Sequence, residues 1–130
     1  MRSAGMWLLL PVLVVTGCGP SSTFSRDTSA GCMRLHGGRV ANAAKGLDTI
    51  ARGANASAFR VRAGTDAATV EFARTSQDAE SLEAAYARAL KVAREPTKYL
   101  LYRNRNAVVI WAHVPGDDSR ETVIDCLVSR

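Results

Sequence analysis

The chain has no run of about twenty apolar residues, the length a membrane-crossing helix needs; the apolar stretch at residues 7–15 has nine. Histidine occurs twice and cysteine three times, so a zinc site, which needs three or four ligands, is not expected. Neither G-x-S-x-G nor H-E-x-x-H occurs, and "LHGGR" at 35–39 lacks the spacing of a phosphate-binding loop. Charges are spread along the chain with no basic block, which argues against a nucleic-acid tail. These absences leave no expected cofactor, no metal and no convincing catalytic constellation.

What is there fits one globular domain. The 130 residues are 47% hydrophobic and 22% charged, too apolar for a disordered chain. Lys and Arg number 17 against 12 Asp and Glu, a net +5. Fourteen of the 17 are arginine and alanine is the commonest residue, the compositional bias of a GC-rich bacterial genome. The excess of positive charge is compatible with an anionic partner and equally with a solvated, mildly basic surface.

The N-terminus, "MRSAGMWLLLPVLVVTGC", has the three-part layout of a secretory signal: Arg2, the apolar run 7–15, then the small residues Thr16 and Gly17. Its end, "VTGC" (Val15 to Cys18), resembles the lipobox of bacterial lipoproteins: an aliphatic residue, a small residue, Gly or Ala, then Cys. The resemblance implies a diacylglyceryl group on the Cys18 thiol and cleavage before Cys18. Residues 1–17 are then the signal peptide and the mature chain starts at the lipidated cysteine. It further implies a protein anchored by its acyl chains (palmitate or similar) on the extracytoplasmic face of the cell membrane, where two or more chains hold stably. A cut elsewhere by an ordinary signal peptidase would leave Cys18 free or paired.

"SAGC" around Cys32 repeats the local letters without an apolar run before them, so Cys32 belongs to the mature domain. With Cys18 assigned to lipid, the remaining pair in an exported domain is Cys32 and Cys126, and a disulfide is the expected state. In the chain-entropy view such a loop closure is worth roughly 4–5 kcal/mol. The alternative is two buried free thiols.

Residues 18–31, rich in Ser, Thr, Gly and Pro, read as a lipidated flexible tether, and residues 32–130 as a single α+β domain. The stripe Val40, Ala43, Ala44, Leu47, Ile50 and Ala51, extended back through His36 and Cys32, predicts a helix over 32–52, with a break or kink at Gly37–Gly38. "AFRVRA" and "TVEFAR" alternate with period two and predict a hairpin turning at "GTDA", with its arginines and Glu71 on the exposed face. Leu82, Ala85, Tyr86, Ala89 and Ala93 mark a second helix, capped by Thr75 or Ser76 and stopped by Pro96. "KYLLYRNRNAVVIWAHVP" predicts a second hairpin turning at 103–106, its second strand covered on more than one side. "GDDSRETVIDCLVSR" closes with a helix capped by Asp118 or Ser119 that brings Cys126 toward Cys32. The order α-β-β-α-β-β-α predicts a two-layer α+β domain, an antiparallel four-stranded sheet with its helices on one face.

Two surfaces could carry function. Arg60, Arg62 and Arg74 on one sheet face, with Arg103 and Arg105 at a hairpin tip, could contact an anionic ligand, because guanidinium groups bind phosphate and carboxylate in bidentate fashion. His113 beside Asp117 or Asp118 could serve a small exported hydrolase as general base, although no nucleophile accompanies it. The leading expectation is therefore an exported, lipid-anchored envelope lipoprotein with a small binding or accessory module. Its partners would be the membrane, through Cys18, and an envelope protein or an anionic cell-wall polymer, not nucleic acid.

Overall fold

Period-two alternation is strongest over residues 57–72, and there the computed structural model, which describes residues 23–42, 50–51 and 56–128, has its longest hairpin. β2 (Ser57–Ala63) and β3 (Asp66–Phe72) pair antiparallel around Gly64 and Thr65, with Gly64 at φ 59°, the left-handed value a tight hairpin turn favours. Phe59, Val61, Ala68, Val70 and Phe72 point to one face and are buried. The Phe59 and Phe72 rings meet with centroids 5.6 Å apart.

The second hairpin is β4 (Leu101–Asn104) and β5 (Ala107–Trp111), joined by Arg105 and Asn106, with Arg105 at φ 52°. β5 pairs with β3 on its other side, and β1 (Arg39–Asn42) pairs with β2. The result is a mixed α+β fold around an antiparallel sheet of order β1-β2-β3-β5-β4. It has five strands where four were expected. β1 was missed because Val40 also fits the helical stripe.

The predicted helix over 32–52 is the main correction. α1 (Arg26–Leu35) starts at Ser25, whose hydroxyl accepts from the Thr28 N–H at 3.4 Å, and so takes in residues 26–31 of the expected tether. It stops at the glycine pair. Gly37 takes φ 89°, its N–H donates to the Arg34 carbonyl, and the Gly38 N–H donates to the Met33 carbonyl at 2.8 Å. This is a Schellman stop, which satisfies the last carbonyls and turns the chain. Gly38 also needs its bare Cα: a Cβ there would lie 2.9 Å from the Met33 oxygen and 3.1 Å from Val61. The chain leaves directly into β1. Of the rest of the stripe, Ala43, Ala44 and Leu47 lie outside the described residues, while Ile50 and Ala51 are helical.

α2 (Ser76–Val92) forms as predicted, with the Thr75 hydroxyl accepting from the Asp78 N–H at 3.0 Å. A short α3 (Thr97–Leu100) leads into β4. α4 (Asp117–Ile124) and a 3-10 turn (Asp125–Leu127) end the described chain. Its N-cap is Gly116, which makes no side-chain cap, rather than Asp118 or Ser119; the Ser119 hydroxyl donates instead to the Ala63 carbonyl at 2.8 Å.

The helices occupy both faces of the sheet, not one. Met33, Val123 and Leu127, from α1, α4 and the final turn, cover the face carrying Phe59, Val70 and Val109. Ala79, Leu82 and Tyr86 of α2 cover the opposite face at Val108, with Leu101 and Ile110 beside it. The strand alternation decides this: Val108 and Val109 are adjacent, so they point to opposite sides, and both are fully buried.

Asn106 ties the layers together. Its side-chain N–H groups donate to the carbonyls of Phe24 (3.1 Å) and Ala73 (3.0 Å), and its Oδ1 accepts from the Phe24 N–H at 2.5 Å. The Ala73 N–H returns to the Asn106 carbonyl at 2.9 Å. Asn106→Ala removes three bonds and strands the buried Ala73 carbonyl together with the half-buried Phe24 backbone groups, so it should cost about 2–4 kcal/mol. Urea denaturation followed by circular dichroism measures the loss.

Candidate functional site

The arginine face arises from the register of β1 on β2. Arg39 lies directly opposite Arg62, and Arg60 lies two positions along β2 on the same side. All three are exposed. They stand on the face that α2 covers only at its far end, over β4 and β5. Burial along β3 records this: Ala67 and Thr69 are half-buried, whereas Glu71 on the same face is 1% exposed. Glu71 was expected on the open surface; instead it lies under α2, where the Tyr86 hydroxyl donates to its Oε1 at 2.5 Å. The open half of the face holds two shallow clefts. One, of about 410 Å³, is lined by Arg39, Ala41, Arg60, Arg62 and Ala67; the other, of about 310 Å³, by Arg60, Thr69, Ile110 and Trp111. Ala41 and Ala67 line the first cleft beside the guanidinium groups, and the larger Ile110 and Trp111 line the second.

The five arginines singled out from the sequence do not form one patch. Arg60 and Arg62 stand together, joined by Arg39, which the sequence reading had placed inside a helix. Arg103 is committed elsewhere: its Nε lies 3.2 Å from Glu83 and its Nη2 3.8 Å from Glu80, both on α2. Arg105 stacks over the Phe24 ring, 5.5 Å from its centroid. Arg74 is exposed on the loop between β3 and α2, apart from the other two.

His113, Asp117 and Asp118 are all exposed beside the N-terminus of α4, and His113 lines none of the clefts described here. The charge of His113 acts on Asp66, at the β2–β3 turn. Asp66 Oδ2 accepts from the Gly116 N–H at 3.0 Å and pins this hairpin to the start of α4. The Ser119 hydroxyl first, then the Gly116 N–H, and lastly the His113 charge hold the Asp66 carboxyl below the usual carboxylate range, against a small opposing effect of burial. A hydroxyl has one proton, and that of Ser119 is shared with the Ala63 carbonyl, so Gly116 is the committed donor. No local motif marks Asp66 in the sequence.

Cys32 and Cys126 are disulfide-bonded, with Cα atoms 5.7 Å apart across 94 positions of sequence. The bond joins α1 to the final 3-10 turn. His36, one helical turn after Cys32, places Nδ1 2.8 Å from the Cys32 carbonyl, 3.7 Å from Cys32 Sγ and 3.8 Å from Cys126 Sγ. The disulfide and His36 lie in the wall of an open cleft of about 780 Å³ that also includes Phe24, Leu35 and Val128. Cys18 and the signal-like segment 1–17 lie outside the described residues. Among the described residues no helix is long and apolar enough to cross a membrane.

Comparison of this chain with protein-family models, with curated proteins and with solved structures found no match.

The lowered Asp66 carboxyl has a signed consequence. A carboxyl held lower in the folded state contributes stability above its unfolded pKa and loses it as pH falls through the folded value. Melting temperature should therefore drop below about pH 4, and the gap between wild type and Asp66→Asn should narrow as the pH falls. Thermal melts of both proteins from neutral pH to pH 2, where the acid form prevails, test this.

Proposed function

We propose that the protein is an exported envelope lipoprotein, anchored by lipid on Cys18, whose domain is a small binding module for an anionic partner. The carrying observation is the direct opposition of Arg39 and Arg62, with Arg60 on the same side of β2, on the part of the sheet face that α2 does not cover. Like charges placed directly across a strand pair repel and destabilise the sheet. An anion lying across the guanidinium groups turns that repulsion into attraction, and arginine's planar fork suits phosphate and carboxylate oxygens. The open cleft beside Arg39, Arg60 and Arg62, lined also by Ala41 and Ala67, suits a chain or headgroup rather than a deep enclosed ligand. Support for the anchor comes from the "VTGC" motif at the end of an apolar run. Among the described residues His113 is exposed and lines neither arginine cleft, which gives the hydrolase reading no pocket to rest on.

Two measurements test the two halves of this reading. Intact mass of the protein extracted from its native membrane should match residues 18–130 plus acyl chains, and Cys18→Ser should move the protein out of the membrane fraction. A Cys18→Ser chain that stays membrane-bound overturns the anchor. For binding, short-chain polyphosphate is a suitable probe. Arg39→Ala/Arg60→Ala/Arg62→Ala should weaken it by about tenfold or more at low salt, since each lost guanidinium contact is charge-assisted. Arg74→Ala should leave it nearly unchanged. Equal weakening by both variants would mean diffuse charge, not a site.

A further inference from the structure

The cluster at the α1–C-terminal junction goes beyond a covalent staple. Cys32, His36 and Cys126 each offer a ligand atom, and the three atoms lie within 4.8 Å of one another. We propose that reduction of the Cys32–Cys126 bond converts this cluster into a Zn(II) site, with two thiolates and His36 as protein ligands and water in the fourth position.

The distances support it. Arms of about 2.3 Å to sulfur and 2.0–2.1 Å to nitrogen in a tetrahedron put sulfur and nitrogen about 3.6 Å apart and the two sulfurs about 3.8 Å apart. The nitrogen–sulfur separations are already 3.7 and 3.8 Å. The sulfur pair must open from 2.06 Å, and the His36 ring must turn Nδ1 from the Cys32 carbonyl toward the sulfurs, giving up that hydrogen bond; side-chain rotation supplies movements of that size. The backbone on each side is held without the disulfide. On α1, Ala30 and Met33 are buried in the core and the Arg26 guanidinium bonds the Ala58 carbonyl. In the final turn Leu127 is buried, and the Asn104 amide donates to its carbonyl at 2.6 Å. Reduced thiols would thus remain face to face. The half-buried cysteines and exposed His36 border the 780 Å³ cleft, which gives an ion a path of entry.

The chemistry balances with one co-reactant, a dithiol reductant. Thiol–disulfide exchange passes two electrons and two protons from the dithiol to the two sulfurs; the dithiol becomes the disulfide, and Cys32 and Cys126 become thiols. Zn(II) then replaces both thiol protons, which are released to solvent. In the oxidised form the Nδ1–H of His36 donates to the Cys32 carbonyl. Ligation through Nδ1 moves that proton to Nε2, so the ring stays neutral. This site does not depend on the anionic-partner reading, because it shares no residue with the arginine face.

The test uses the full chain in detergent with Cys18→Ser, so that only Cys32 and Cys126 supply thiols. The protein is reduced with a dithiol, freed of reductant without oxygen, and titrated with Zn(II) by calorimetry in buffers of different ionisation enthalpy. The expected result is one Zn(II) per chain, about two protons released, and affinity about a hundredfold above that of the oxidised protein. His36→Ala, at an exposed helix end, should weaken binding by about tenfold or more. Zn(II) should raise the melting temperature of the reduced protein and leave that of the oxidised protein unchanged. Reduced protein that binds no better than oxidised, that binds equally with and without His36, or that is unfolded before metal is added would each overturn the proposal.

Discussion

Three separate parts of the chain depend on one amide. Asn106 sits at the tip of the β4–β5 hairpin, yet its side chain bonds no neighbour in that hairpin. It spends its donors and acceptor on the backbone before α1 and on the residue following β3. These are polar groups that a buried position would otherwise leave unsatisfied, at a cost of about 1–3 kcal/mol each. By meeting them, Asn106 fixes where α1 enters, where β3 ends and where the hairpin turns. Because α1 is placed in this way, Cys32 meets Cys126 and His36 hangs over the sulfur pair.

The readable part of the sequence was the part with a period. The alternation of Phe59, Val61, Val70 and Phe72 and the helical stripe of Leu82 and Tyr86 each state a face, and those faces are buried. The mixed antiparallel class followed. β1 could not be read, because a four-residue strand with one large apolar residue has no period to detect. In the sequence the glycine pair marks a weak point in a helix, but its backbone hydrogen bonds, which make it a stop, exist only once the chain has turned. Which helix covers which face also lies beyond local pattern, and Glu71 shows the consequence: an acidic residue at a polar strand position proved to be roofed by α2. The cysteine pairing was legible only with the lipobox resemblance, which takes Cys18 out of a count of three and leaves Cys32 and Cys126. Arg39 and Asp66 were not, since their roles come from a strand register and from a distant loop.

The two candidate sites have different physical characters. The arginine face is open, charged and shaped by the register of an edge strand, so it is suited to extended partners and sensitive to salt. The disulfide cluster is local, with its groups held by buried anchors on both sides. The first would respond to what lies outside the molecule, the second to the redox state around it. They stand on separate elements: β1 and β2 carry one, α1 and the final turn the other.

The placing of β5 between β3 and β4 has a consequence for the order of assembly. β4 precedes β5 in the chain and can pair with nothing until β5 exists. Meanwhile β3 presents an unpaired edge flanked by Val70 and Phe72, an arrangement that invites pairing with other chains. The hydrogen bonds of Ala73 and Phe24 to Asn106 also wait for this hairpin. A nascent or unfolding copy lacking β5 therefore has its central strand bare on one side, and that is where we expect such a species to be captured by a chaperone or by another copy of itself.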